Sequence, residues 1–203
     1  MQTQQKIDAK LIEKKQQRKL LLGKRGALTS EQKATYSAKI ITKIIASDEY
    51  KNANLCFLFA SMADEVQTKE LILDAFKAGK RVCLPYITSI ENKTMEATEI
   101  YSLDELVVGA YGILSVDEAK LRLVSADEID FVLVPAVGFD RNGYRLGMGG
   151  GYYDRYLSHC KRAKLVSGIY ACQLVDEIIK DEHDAKISKI FTEDEIILAE
   201  NNN

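Results

Sequence analysis

Apolar positions in this chain follow a helical spacing at first and then gather into short continuous runs. From Gln5 to about Leu22 the chain is charged and rich in Gln, with Ile7, Leu11 and Ile12 at partly helical spacing and neither Pro nor Gly before Gly23. That pattern predicts a helix, which Gly23 to Gly26 is expected to break. Thr29-Ser30-Glu31-Gln32 has the form of a capping box, in which the Thr hydroxyl and the Gln side chain serve otherwise orphaned amides. A second helix is predicted over Ser30 to Ala46, its apolar side being Tyr36, Ile40, Ile41, Ile44 and Ile45.

The pattern then changes, because Leu55-Cys-Phe-Leu-Phe59 is apolar at every position, as in a strand buried on both faces. Thr68 to Ala78 places Leu71, Ile72, Ala75 and Phe76 on one helical face, Gly79 ends that helix, and Arg81 to Pro85 restarts a strand. Strand, helix, strand is a βαβ unit, so the expected fold class is α/β: a mostly parallel sheet flanked by helices in three layers. Met95 to Tyr101 alternates enough for an edge strand, and Ser102 to Glu105 resembles a short helix start. Asp130 to Pro135 reads as the next strand, Gly138 to Gly143 as a loop, and Tyr152 to Lys161 as a helix. Leu165 to Tyr170 and Phe191 to Leu198 read as one strand each.

Composition narrows the field. With 203 residues, 46% of them hydrophobic and only two Pro, the chain is expected to form a single domain, residues 1–203, with an ample core. Its 28 Lys and Arg against 30 Asp and Glu give a net charge of −2, which excludes a generally basic nucleic-acid binder. The longest uncharged stretch, Asn52 to Ala63, is too short for a membrane helix, and the first residues lack the apolar stretch of a secretory signal. The expected location is cytoplasmic. Cys56, Cys83, Cys160 and Cys172 are widely spaced and read as reduced thiols. With His159 and His183 the only histidines, any metal is expected to be a hard ion held by carboxylates.

The chemistry concentrates in Gly143-Tyr-Arg-Leu-Gly-Met-Gly-Gly-Gly-Tyr-Tyr-Asp-Arg155. Glycines let backbone amides approach an anion, Arg145 offers a fork of donors, and Asp154 is placed to hold magnesium beside a phosphate. There is no GK[ST] ending, and the GxGxxG register fails at Tyr152. The same spacing also fits an irregular loop in which Asp154 balances a helix terminus and one of Tyr152 and Tyr153 packs in the core.

The stretch from Pro135 to Arg155 resembles the signature of the 5-formyltetrahydrofolate cyclo-ligase family, also called 5,10-methenyltetrahydrofolate synthetases. The resemblance extends to the basic opening segment, Glu65-Val-Gln-Thr68, Gly79-Lys80 through Pro85, and Glu182-His-Asp184. It implies a fold of the NagB, ribose-5-phosphate isomerase and CoA-transferase kind, with residues 1–28 completing a nucleotide site. It assigns Lys14, Lys15 and Arg18 to ATP, together with Arg145, Leu146, Gly147, Met148, Gly149, Gly150, Gly151, Tyr152 and Tyr153. Met148 to Tyr152 also border the folate, as do Ala60, Met62, Glu65 and Tyr111, and Asp154 with Asp184 match the family's Mg2+ ligands.

The implied activity is ATP- and Mg2+-dependent cyclisation of 5-formyltetrahydrofolate to 5,10-methenyltetrahydrofolate, with ADP and phosphate released. Arg145 would stabilise charge on the transferring phosphoryl group, and Glu65 would orient the pterin. Neither a nucleic acid nor a membrane is implied as partner, and a monomer is expected. The chain departs from many members in Leu114-Ser115-Val116, where an acid and a Pro are usual, in Met148, in Ile187-Ser188, and in Gly150, where some carry Lys. Those departures keep a second reading open, a non-catalytic folate- or nucleotide-binding protein of the same fold.

Overall fold

The strand Leu55–Phe57 (β1) sends its side chains alternately into two separate cores. Cys56 and the following Leu58 enter one, Leu55 and Phe57 the other, which is why this stretch has no polar position. The computed structural model describes residues 2–180 and 186–199. In chain order the further strands are β2 (Arg81–Ser89), β3 (Thr94–Ile100), β4 (Leu106–Val108), β5 (Leu114–Val116), β6 (Leu123–Val124) and β7 (Phe131–Leu133). They continue with β8 (Gly138–Asp140), β9 (Arg145–Leu146), β10 (Lys164–Gly168), β11 (Leu174–Val175), β12 (Lys189–Phe191) and β13 (Ile196–Leu198). The helices are α1 (Gln2–Gly26), α2 (Ser30–Ala46), α3 (Asp48–Lys51), α4 (Lys69–Lys77) and α5 (Tyr152–Leu157).

Eight strands form the main sheet in the order β13-β12-β10-β7-β1-β2-β3-β6. Pairing is parallel from β12 through β2 and antiparallel at both ends. Ile40, Ile41 and Ile44 of α2 and Leu71, Ile72 and Ala75 of α4 cover the face that carries Cys56. Tyr156 and Leu157 of α5 cover the face that carries Phe57. Each buried Ile, Leu or Phe among them contributes about 1.5–3 kcal/mol. A third, smaller core joins Leu21 of α1 to Val137, Leu146 and Ile178, beside the three-stranded sheet β11-β8-β9. Gly138 permits that docking, since a Cβ there would lie 2.5 Å from Leu21 Cδ1 and 2.8 Å from the Gln173 carbonyl oxygen.

The capping box at Thr29 forms as expected, with Gln32 N donating to Thr29 Oγ1 at 3.1 Å and Thr29 N to Gln32 Oε1 at 2.9 Å. Several expectations need correction. Gly23 does not break α1, because burial of Leu21 and Arg25 on either side outweighs the roughly 1 kcal/mol that a helical Gly costs. Met95 to Tyr101 is not an edge strand, since β6 pairs with β3 on its far side. Gly138 to Gly143 opens with strand β8, and Phe191 to Leu198 is a hairpin of two strands, β12 and β13, turned at Thr192 to Glu195. The helix after the glycines ends at Leu157, well short of Lys161. Among the described residues no helix is long and apolar enough to cross a membrane.

Phe57 is fully buried, with ring centroids 5.1 Å from Tyr156 and 6.0 Å from Tyr153. Phe57→Ala is expected to cost about 3–5 kcal/mol of stability, read as a lower urea midpoint at an unchanged slope.

Candidate active site

Three strand exits on the same side of the sheet meet one helix. The chain leaving β7 runs into β8 and β9, and Asp140 fixes the turn between them. Its buried carboxylate accepts from the amides of Asn142 at 2.9 Å, Tyr144 at 3.1 Å and Ile178 at 3.1 Å. Arg145 on β9 is 5% exposed and donates through Nη2 to Asp154 Oδ1 at 2.5 Å, while Asp154 itself stays largely open to solvent. Between the two lie Gly147 to Gly151. Gly149 has φ +94° and Gly151 φ +70°, conformations in which a side chain is strained.

Arg18 of α1 crosses this loop. Its Nε donates to the Gly147 carbonyl at 2.8 Å, and its guanidinium would stand 3.3 Å from a Cβ on Gly149. Lys14 lies one turn earlier on the same helical face, while Lys15 is exposed. Gln17 secures the helix from its side, donating to the Glu177 carbonyl at 2.8 Å and accepting from Ile179 N at 3.3 Å.

The exit of β1 carries Glu65. Its carbonyl accepts from the Tyr170 hydroxyl at 2.9 Å, and that hydroxyl lies 3.0 Å from Ser37 Oγ of α2. Gln67 braces the turn from inside through the carbonyls of Met62 at 3.0 Å and Glu65 at 2.6 Å. Glu65 Oε2 accepts from Met62 N at 2.9 Å, and Oε1 lies 3.9 Å from Arg25 Nη1. Burial raises the Glu65 carboxyl above the ordinary glutamate range, against the Met62 amide and the Arg25 charge, which pull it down. Tyr153 stacks on Phe57, and its buried phenol is raised by that burial and by the nearby Glu65 charge.

Tyr153 links the two sets, since the charges of both Glu65 and Arg145 act on its phenol. Ala60 is buried in the core, whereas Met62 is exposed. Tyr111 sits at the tip of the β4–β5 hairpin with φ +57°, and its hydroxyl lies 3.3 Å from that of Tyr152. Met148 is 65% exposed. Asp184 and its neighbours Glu182 and His183 lie outside the described residues. Among the described residues, Arg25 Nε, Arg145 Nε, Tyr153 Oη and Tyr156 Oη are buried without a hydrogen-bond partner, each at a cost of about 1–3 kcal/mol. The four thiols fit structural roles: burial pushes Cys56 up to about 12 and Cys160 to about 11, and it raises Cys83 and Cys172 as well.

Residues 10–193 match the model of the 5-formyltetrahydrofolate cyclo-ligase family. The chain belongs to this family. It is 32% identical over 178 residues to the 5-formyltetrahydrofolate cyclo-ligase of Mus musculus, covering 83% of this chain and 87% of the mouse protein. Identity to the 5-formyltetrahydrofolate cyclo-ligase of Escherichia coli is 32% over 174 residues, covering 83% and 94%. The fold matches the NMR structure of Aquifex aeolicus 5,10-methenyltetrahydrofolate synthetase with a TM-score of 0.81 at 30% identity, over 94% of both chains. The protein is thus an enzyme, a ligase of folate one-carbon chemistry.

Within this cyclo-ligase family member, Arg25, Tyr170 and Ser37 are the site's supports that sequence reading missed. Arg25 carried a signal, a charge directly after Gly23-Lys24 in a segment read as a helix terminator. Tyr170 and Ser37 carried none, since their contact spans 133 positions.

Because the folded chain binds the Glu65 proton more tightly than the unfolded one, this group's contribution is complete below about pH 4.5 and is lost as pH rises through the raised value. Glu65→Gln, which cannot ionise, is expected to gain stability relative to the unsubstituted protein between pH 4 and pH 7, measured as the difference in urea midpoints at the two pH values.

Proposed function

We propose that this protein cyclises 5-formyltetrahydrofolate to 5,10-methenyltetrahydrofolate at the expense of ATP, with magnesium, releasing ADP and phosphate. The observation that carries the reading is that Arg18 bonds the glycine loop at Gly147 and Arg145 pairs with Asp154 just beyond it, while Tyr153 beside Asp154 feels the charges of both Arg145 and Glu65, which suits a polyanion and a pterin held as neighbours. The N5 formyl group is an amide, a poor electrophile whose oxygen leaves poorly. Transfer of the γ-phosphoryl group to that oxygen gives an iminium phosphate, N10 attacks its carbon, and phosphate departs with the original formyl oxygen and takes up the proton that N10 loses.

Positioning and charge stabilisation supply the rate, as in other phosphoryl transfers. Loop amides and the Arg145 guanidinium stabilise the equatorial oxygens, and Arg145 is pre-aimed by its ion pair with Asp154. Arg18, with Lys14 and Lys15 beside it, binds the remaining phosphates, and Glu65 receives the N–H groups of the pterin. Tyr152 and Tyr111, in contact at ring centroids 6.5 Å apart, border the folate.

A magnesium ion fits the donor set. One Asp154 oxygen is held by Arg145, the side chain is 40% exposed, and no cluster of three His, Cys, Asp or Glu exists among the described residues. Such a site suits an ion that keeps most of its waters and takes its other oxygens from phosphates, with Asp184 as the second carboxylate. When bound, it neutralises phosphate charge. The same reading takes the enzyme as a cytoplasmic monomer that acts on free small molecules.

Absorbance of the methenyl product tests the reading: signal is expected only with 5-formyltetrahydrofolate, ATP and magnesium together. Binding of either substrate with no product under any condition would favour the non-catalytic binder instead. Arg145→Lys is expected to lower kcat by about 10²–10³-fold. Asp154→Asn is expected to raise the magnesium concentration for half-maximal rate; the Asn keeps a partner on Arg145, whereas Asp154→Ala would strand a buried charge.

A further inference from the structure

Lys14, Arg18, Leu21 and Arg25 form one stripe along α1 at spacings of four, three and four residues. Arg18 reaches the glycine loop, Leu21 is fully buried, and Arg25, about 10 Å further along the axis, reaches Glu65. Arg25 has a side chain only 9% exposed and a buried Nε with no partner among the described residues, which is an expensive way to fill space that Leu would fill. Its Nη1 stands 3.9 Å from Glu65 Oε1, close enough for charge to act but beyond hydrogen-bond length. Oε2 is already taken by Met62 N, and Oε1 accepts no hydrogen bond among the described residues.

We propose that Arg25 is a positioning residue for the folate subsite: its guanidinium holds Glu65 as a charged acceptor without occupying Oε1, which is left to an N–H of the pterin. The proposal rests on the reading of Glu65 given above. Apolar walls around the pair, Phe59, Val66 and Pro135, weaken screening, so a single cation carries weight there. The charged and titratable groups facing Glu65 are Arg25 from α1, Tyr153 from α5, Tyr170 after β10, whose hydroxyl donates to the Glu65 carbonyl, and Asp64 of its own loop, which Lys33 of α2 engages. Arg25 is thus the cation that bears on Glu65, and Asp64 works against it.

The test compares Arg25→Gln, Arg25→Lys and Glu65→Gln by steady-state kinetics across pH, with each substrate varied at saturation of the other. Arg25→Gln is expected to raise the KM for 5-formyltetrahydrofolate about tenfold or more with the KM for ATP unchanged. Its acid limb in kcat/KM for the folate should move to higher pH, because Glu65 without the cation takes up a proton sooner. Arg25→Lys, with a shorter reach, should move the same limb by less, and it decides the matter if Arg25→Gln does not fold. A limb that stays in place in every Arg25 variant that folds overturns the proposal, as does an equal rise in both KM values. Glu65→Gln separates the two readings: if its folate KM is normal, the role of Glu65 falls and this proposal with it. If that KM rises while the Arg25 variants behave as the unsubstituted enzyme, only the role of Arg25 falls.

Discussion

Burial of β1 on both faces is the constraint from which the site follows. A strand whose alternate side chains enter different cores can neither slip by one residue nor tilt without exposing one set, so its register against β2 and β7 is held from two sides. The loop carrying Glu65 leaves directly from this strand. The neighbouring exits of β7 and β10 lead to the glycine loop and to Tyr170, which ties the Glu65 turn to α2. Ligand groups at the carboxyl ends of parallel strands are the general pattern of α/β sheets, and here three such exits are drawn to one place.

The polar residues of the site fall into two sets with different demands. Asp140, Gln67 and Tyr170 are satisfied within the protein and hold backbone in place. Arg25, Arg145 and Tyr153 each keep a buried polar atom without a partner among the described residues, as does Tyr156 in the core beneath α5. The first three border the candidate site, where a bound ligand would supply the missing hydrogen bonds.

Most of the fold was legible because its signals are local. The capping box at Thr29, the uninterrupted apolar run from Leu55, and Gly79 with φ +72° each encode their element within a few residues. What stayed hidden depends on distant partners: Gly138 looks like turn chemistry until Leu21 is seen against it, and β3 looks like an edge until β6 arrives. The site divides in the same way. The glycine loop, Arg145 and Asp154 are contiguous and were readable, and family resemblance supplied Glu65, Arg18 and Tyr111. The role of Arg25 needed the third dimension, since a Lys-Arg pair after a Gly reads equally well as a solvated helix end.

The stripe along α1 joins the first residues of the chain to some of the last. Leu21 rests on Val137, Leu146 and Ile178, and Gln17 is bonded to Glu177 and Ile179, about 160 positions downstream. In synthesis α1 precedes those partners, so Gln17 and Leu21 have nothing to dock against until the chain has grown through Ile179. Arg25, by contrast, meets Glu65 early. The nucleotide side of the site therefore closes well after the strand that carries Glu65 has been made.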